Sequence, residues 1–83
     1  MEEQRLLVKI RSKSKVFFDG TAYAVSSTNE VGPFDILSQH ANFVTVVKDF
    51  VTVHKNLQNK EDFKIDKGIM RVRENLVEVF VGI

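Results

Sequence analysis

A period of two runs through most of this chain of 83 residues. Apolar and polar residues alternate in short segments, and turn-forming residues interrupt them roughly every 6 to 12 positions. No window of ten or more residues carries a convincing helical period. Alternation of this kind places side chains on opposite faces of a pleated backbone, so each segment can bury one face only. The chain must therefore stack sheet on sheet. The expectation is an all-β fold, a small two-sheet β-sandwich or flattened barrel of about eight or nine short strands, forming one domain over residues 1–83.

Taken in order, Leu6, Val8 and Ile10 share one face of a first strand, with Lys9 and Arg11 on the other. Val16-Phe17-Phe18 reads as a second short strand closed by an Asp19-Gly20 turn. Residues 21–27 alternate again, with Tyr23 and Val25 on one face and Ala22 and Ala24 on the other. Thr28-Asn29-Glu30 is a turn cluster, and Gly32-Pro33 is expected to fix a further turn. The stretch from residue 30 to 44 then reads as an excursion between strands. Phe34, Ile36 and Leu37 anchor it in the core, and Ser38-Gln39-His40 forms an exposed tip with at most one helical turn. Beyond it, residues 42–53 are dense in valine and threonine, stiff side chains suited to a pleated surface. A break at Lys48-Asp49 divides this segment into two strands. Residues 56–62 form a polar loop, Lys67-Gly68 turns the chain between two more strands, and Glu74-Asn75 links to a last strand, Leu76 to Val81.

Composition narrows the function. Twelve basic and eleven acidic residues leave a net charge of +1. That balance supplies no strong pull toward nucleic acid or an anionic membrane. Lys9, Arg11, Lys13 and Lys15, with Arg71 and Arg73, are read as solvated strand faces rather than a nucleic-acid platform. The absence of cysteine removes disulfides, thiolate metal ligands and a cysteine nucleophile. His40 and His54 alone fall short of a zinc ligand set. The four glycines are scattered and cradle no phosphate. No nucleophile elbow appears, and Glu30 and Asp35 read as solvated turn carboxylates. No apolar run is long enough to span a membrane, and Met1 to Arg5 lacks the apolar core of a signal peptide. The residues thus point to no catalytic centre, no metal and no cofactor, in an intracellular protein without membrane insertion.

The order of these features resembles the N-terminal β-sandwich domain of the F-type ATP synthase epsilon subunit, called delta in mitochondria. The family opens on a Leu-x-Val-x-Ile-like strand, here Leu6 to Ile10. A Phe-x-Gly turn follows, here Phe18-Asp19-Gly20. Its Gly-x-Leu/Phe-x-Ile-Leu-Pro-Gly-His-Ala segment stands here as Gly32-Pro33-Phe34-Asp35-Ile36-Leu37-Ser38-Gln39-His40-Ala41. Its late glycine pair and Asn-x-Val-x-Val stand as Lys67-Gly68 and Asn75-Leu76-Val77-Glu78-Val79. Ser38-Gln39 replaces a Pro-Gly pair, Asn42 replaces a proline, and Arg71 replaces an acidic residue. The family's C-terminal helical hairpin begins about where this sequence stops, so its regulatory and nucleotide-binding roles do not transfer.

The resemblance implies a non-catalytic rotor subunit that binds the central-stalk gamma subunit and rests on the membrane c-ring. It would lie on the cytoplasmic side, peripheral to the inner face of the cell membrane. The family's ring-facing loops implicate Gly32, Phe34, Ser38, Gln39 and His40 in partner binding. The alternative is a freestanding protein-interaction module that reuses the sandwich, self-associating as a homodimer.

Overall fold

The computed structural model describes residues 5–39 and 41–82. Seven strands form one hydrogen-bonded sheet: β1 (Leu6–Arg11), β2 (Val16–Ala22), β3 (Ala24–Asn29), β4 (Gly32–Leu37), β5 (Phe43–His54), β6 (Lys60–Arg73) and β7 (Leu76–Val81). Their spatial order is β2-β1-β7-β6-β5-β3-β4. All neighbours run antiparallel except β1 and β7, which pair in parallel from Leu7 opposite Leu76 to Arg11 opposite Phe80.

The ribbon becomes a sandwich because β5 and β6 are long and bend. Their ladder slips between Lys48 and Asp49, where Lys48 faces Lys67 and Asp49 faces Ile65, leaving Asp66 over. Asp49 adopts φ 70. Bulges increase twist and bend the strand that carries them. The change of parity along β6 records the bend: Phe63 and Ile65 face inward before it, Gly68, Met70 and Val72 after it. One layer then holds β2, β1, β7 and residues 67–73 and 43–48. The other holds β4, β3 and residues 49–54 and 60–65.

Between the layers lies a continuous core of Leu6, Val8, Ile10, Val25, Ile36, Val47, Val51, Val53, Met70, Val72, Val77 and Val79, with Ala22 filling a tighter place. Two aromatic pairs close the open seams. Phe18 of β2 meets Phe63 of β6 edge-on with ring centroids 6.1 Å apart. Phe34 of β4 meets Phe43 of β5 in the same way at 5.9 Å. Edge-to-face pairs of this kind add roughly 0.5–1.5 kcal/mol beyond the area they bury. Ser27, buried on the inner face of β3, donates its hydroxyl to the Phe50 carbonyl at 2.6 Å, so the core holds no orphaned hydroxyl there.

Several expectations are corrected. The described residues form seven strands because the divisions expected at Lys48-Asp49 and Lys67-Gly68 are a bend within continuous strands. Asp19-Gly20 lies inside β2, opposite Lys9 and Val8, so the charge of Asp19 meets Lys9 across the ladder instead of capping a turn. Thr28 and Asn29 belong to β3, and Glu30-Val31 makes the hairpin turn. The Asn29 side chain accepts the backbone N–H groups of Val31 at 2.9 Å and Gly32 at 3.2 Å, which shapes that turn. Gly32-Pro33 therefore starts a strand, one at the sheet edge where proline's missing donor costs nothing. Residues 32–37 are an edge strand and not an excursion. Its parity turns Phe34 and Ile36 inward and Leu37 outward, where it is 49% exposed. Tyr23 occupies the bend between β2 and β3 and shares no strand face with Val25.

Candidate functional site

The residues implicated in partner binding do not gather at one place. Gly32 begins β4 beside the Glu30-Val31 turn, with φ 141, a value suited to glycine. Ser38 and Gln39 follow the other end of the same strand. Five residue steps at roughly 3.3 Å put about 17 Å between the two ends. Phe34 lies between them on the inner face, packed against Phe43, and presents little surface to a partner. His40 falls outside the described residues.

Each end of β4 is built from more than one segment. At the Ser38-Gln39 end, the Gln39 backbone N–H donates to Asn75 Oδ1 at 2.5 Å. The Glu74 N–H donates to Asn42 Oδ1 at 3.2 Å. The loop after β4 and the β6–β7 turn thus hold each other. Glu74 and Asn75 take φ 50 and 66, the left-handed pair that a two-residue hairpin turn requires. The Asn75 carbonyl also accepts the Leu7 N–H at 2.8 Å, which ties this corner to β1. At the other end, the Glu30-Val31 turn overhangs a hollow of about 660 Å³ whose walls include Val44, Val46, Lys48, Asp66 and Lys67. Val31 itself is 93% exposed. Asn29 Nδ2 donates to Thr45 Oγ1 at 3.1 Å and joins this turn to the opposite layer.

A second polar cluster is not legible as a unit in the sequence. The Ser26 hydroxyl donates to Asp35 Oδ1 at 2.5 Å and lies 2.8 Å from His54 Nε2. Since that hydroxyl proton goes to the carboxylate, the imidazole donates to the serine oxygen from Nε2. A nucleophilic triad places the imidazole between serine and carboxylate, where it can take the hydroxyl proton. Here the hydroxyl occupies the middle position and its proton already has an acceptor. The arrangement crosslinks β3, β4 and β5 and gives the serine no free base. On the same outer face Thr52 donates to Asp62 Oδ1 at 2.6 Å. The sheet register aligns Asp35, Ser26, Thr52 and Asp62 in one row across four strands. Cross-strand register is a property of pairing, so only the fold reveals it. Among the described residues no group of three or more His, Cys, Asp or Glu is placed to hold a metal ion. No described helix is long and apolar enough to cross a membrane.

The outer face of the other layer has a different character. Rows read from the register run Asp19, Lys9, Glu78, Arg71, Val44 and then Arg11, Phe80, Ile69, Val46. Arg71 Nε lies 3.5 Å from Glu78 Oε1. The Arg11 guanidinium sits 6.0 Å from the centroid of the Phe80 ring.

Known proteins place this fold. The family model of the ATP synthase delta/epsilon chain β-sandwich domain matches residues 5–82. An ATP synthase epsilon chain from Sulfurimonas denitrificans is 27% identical over 78 residues, covering 93% of this chain and 60% of that relative. A chain of the Euglena gracilis mitochondrial ATP synthase (OSCP/F1/c-ring) superposes with a TM-score of 0.85 at 14% identity, over 93% of this chain and 50% of that one. A chain of the Tetrahymena thermophila mitochondrial ATP synthase central stalk and c-ring gives 0.74 at 19% identity, over 98% and 66%. The chain therefore spans 60% of the bacterial relative's length and half of the Euglena chain's. A model matched from the first described strand to the last, on a sandwich of the same architecture, makes this chain a member of the ATP synthase delta/epsilon β-sandwich family.

Proposed function

We propose that this chain is a non-catalytic central-stalk component of a proton-translocating F-type ATP synthase, linking the gamma subunit to the c-ring. The observation that carries the reading is the family match over residues 5–82. A linker needs two contact surfaces, held rigidly enough to transmit torque. The two ends of β4 meet both requirements, being about 17 Å apart by strand rise and each bonded to a second segment. Gly32 with the Glu30-Val31 turn supplies one contact, and Ser38 and Gln39, with His40, supply the other. Phe34 supports both from the inner face. In this role the chain sits against the inner side of the energy-transducing membrane without entering it, and it uses no metal or cofactor.

The test is affinity capture from native lysate with the tagged chain, followed by identification of gamma and c-subunits. Val31→Asp and Gln39→Glu change exposed turn positions, so both variants should melt within a few degrees of the parent. Each is expected to reduce capture of one partner and spare the other. A correctly folded parent chain that captures neither gamma nor c-subunits rejects the reading.

A further inference from the structure

Two irregularities of the sheet meet at one hollow. In the β1–β2 ladder Ile10 faces Phe18 and Arg11 faces Val16, so Phe17 is left over. In the β5–β6 ladder Asp66 is left over in the same way. Bulges re-aim the side chains they carry and are over-represented beside functional sites. Phe17 and Asp66 both line a hollow of about 400 Å³, together with Ile10, Phe63, Ile65 and Val81. It opens in the seam where β2, the edge of one layer, approaches the first half of β6, the edge of the other.

The walls of this hollow are fixed. Phe63 is held edge-on by Phe18. Gly82 lines the opposite end, where its N–H donates to the Lys67 carbonyl at 3.0 Å. Ile10 is the floor and is only 1% exposed, so the hollow reaches the core. Phe63, Ile65 and Val81 are half-buried, and Phe17 forms an exposed lip. Four large apolar side chains are thus left partly wet around one opening, which an apolar ligand would dry.

Size and charge select the ligand. The volume stands at the low end of the roughly 300–1,000 Å³ of small-molecule sites. Its β6 wall, residues 62–66, runs four steps at roughly 3.3 Å, about 13 Å in all. A slot of that size suits one hydrocarbon chain and not the paired chains of a phospholipid. A protein partner needs roughly 800 Å² on each side, and a slot sunk between layers does not present it. Four charged groups stand at the rim. The Lys15 ammonium lies 5.3 Å from the centroid of the Phe17 ring. Lys64 and Asp62 flank Phe63 on β6, and Asp62 already accepts the Thr52 hydroxyl. Asp66 stands at the Gly82 end. Two ammonium groups are therefore set against one carboxylate that is not already bonded.

We propose that the seam between β2 and β6 binds a fatty-acid anion, its single chain lying against Phe17, Phe63, Ile65 and Val81 and its carboxylate meeting Lys15 and Lys64. The proposal goes beyond the central-stalk reading and does not need it. Asp66 is the one residue this slot shares with the hollow beneath the Glu30-Val31 turn, and no variant used in the test alters it.

The test titrates octanoate, decanoate and dodecanoate into the isotope-labelled chain, below their micelle-forming concentrations. Backbone amide signals at residues 10, 17, 63–65 and 81 are expected to shift. Each two-carbon step should tighten binding roughly tenfold while the added methylenes stay in the slot. Dodecyltrimethylammonium, with the same chain and the opposite charge, should bind roughly tenfold more weakly than dodecanoate. Lys64→Glu should abolish that preference, and Phe17→Ser should weaken dodecanoate roughly tenfold. Both positions are exposed, so both variants should keep the parent's dispersed spectrum. Affinity independent of chain length, equal binding of the cationic amphiphile, or a folded Phe17→Ser chain with unchanged affinity overturns the proposal. So do shifts centred on the Ser26 and Thr52 face or on the Glu30-Val31 turn. Vesicles of phosphatidylglycerol that bind a chain indifferent to dodecanoate would also overturn it, since the recognised species would then be a lipid surface.

Discussion

Gly68 shows how far a single residue can be misjudged from its type. Next to Lys67 it reads as a turn, yet it lies buried within β6. A Cβ built there would stand 2.6 Å from the Phe80 carbonyl oxygen, a backbone atom with little room to move. The glycine permits close approach of β6 and β7 rather than an unusual φ. Gly68→Ala is expected to destabilise the fold by about 2 kcal/mol or more through overpacking, measured by urea denaturation. A variant as stable as the parent would mean that the two strands can separate there at no cost. Ile36 and Leu37 make a second contrast. Both are large and apolar, so type alone sends both to the core. Strand parity buries Ile36 completely and exposes Leu37. Ile36→Ala should cost about 2–5 kcal/mol, and Leu37→Ala less than about 1 kcal/mol, in the same denaturation experiment.

At the scale of elements, alternation makes the strands legible while pairing stays hidden. β1 and β7 emerge from the sequence almost as they fold, since Leu6, Val8, Ile10 and Val77, Val79 mark an inner face directly. The bend in β5 and β6 shows in the sequence only as an apparent break, because a bulge interrupts the period just as a turn does. The β4 segment reads as a loop because Gly32 and Pro33 open it, and edge position, which excuses the proline, depends on neighbours the sequence does not identify. The seams are the least legible of all. Phe18 and Phe63 meet only because layers close over each other. A double-mutant cycle on Phe18→Leu and Phe63→Leu is expected to return a coupling of about 0.5–1.5 kcal/mol. Strict additivity would show that the β2 edge and the start of β6 are closed by something other than this pair.

For the whole molecule, the candidate contact residues can be named from the sequence, but their separation cannot. The distance between Gly32 and Gln39 follows from β4 being extended, and the clasp at Gln39 follows from Asn75, far away in the chain. Asn75→Gly keeps the backbone freedom the turn needs while deleting the amide side chain. Hydrogen exchange at the Gln39 amide should speed up markedly in that variant, with the core amides unchanged. Unchanged exchange at Gln39 would show that the loop is held by other means. The charge balance is similarly uninformative as a total, since a net charge of +1 conceals an uneven distribution: among the described residues, the outward strand positions of the β2-β1-β7 layer include Lys9, Arg11, Lys48, Lys67, Arg71 and Arg73 against Asp19 and Glu78. The parallel ladder between β1 and β7 has a further consequence, for biosynthesis. Leu7 leaves the ribosome long before its partner Leu76, so the layer that holds β1 and β7 cannot be completed until nearly all the described chain has emerged. Such distant closure favours slow folding, in the millisecond-to-second range for β topologies of this kind. Until then β1 offers a naked edge to any passing strand, and a nascent-chain chaperone would find its recognition target there.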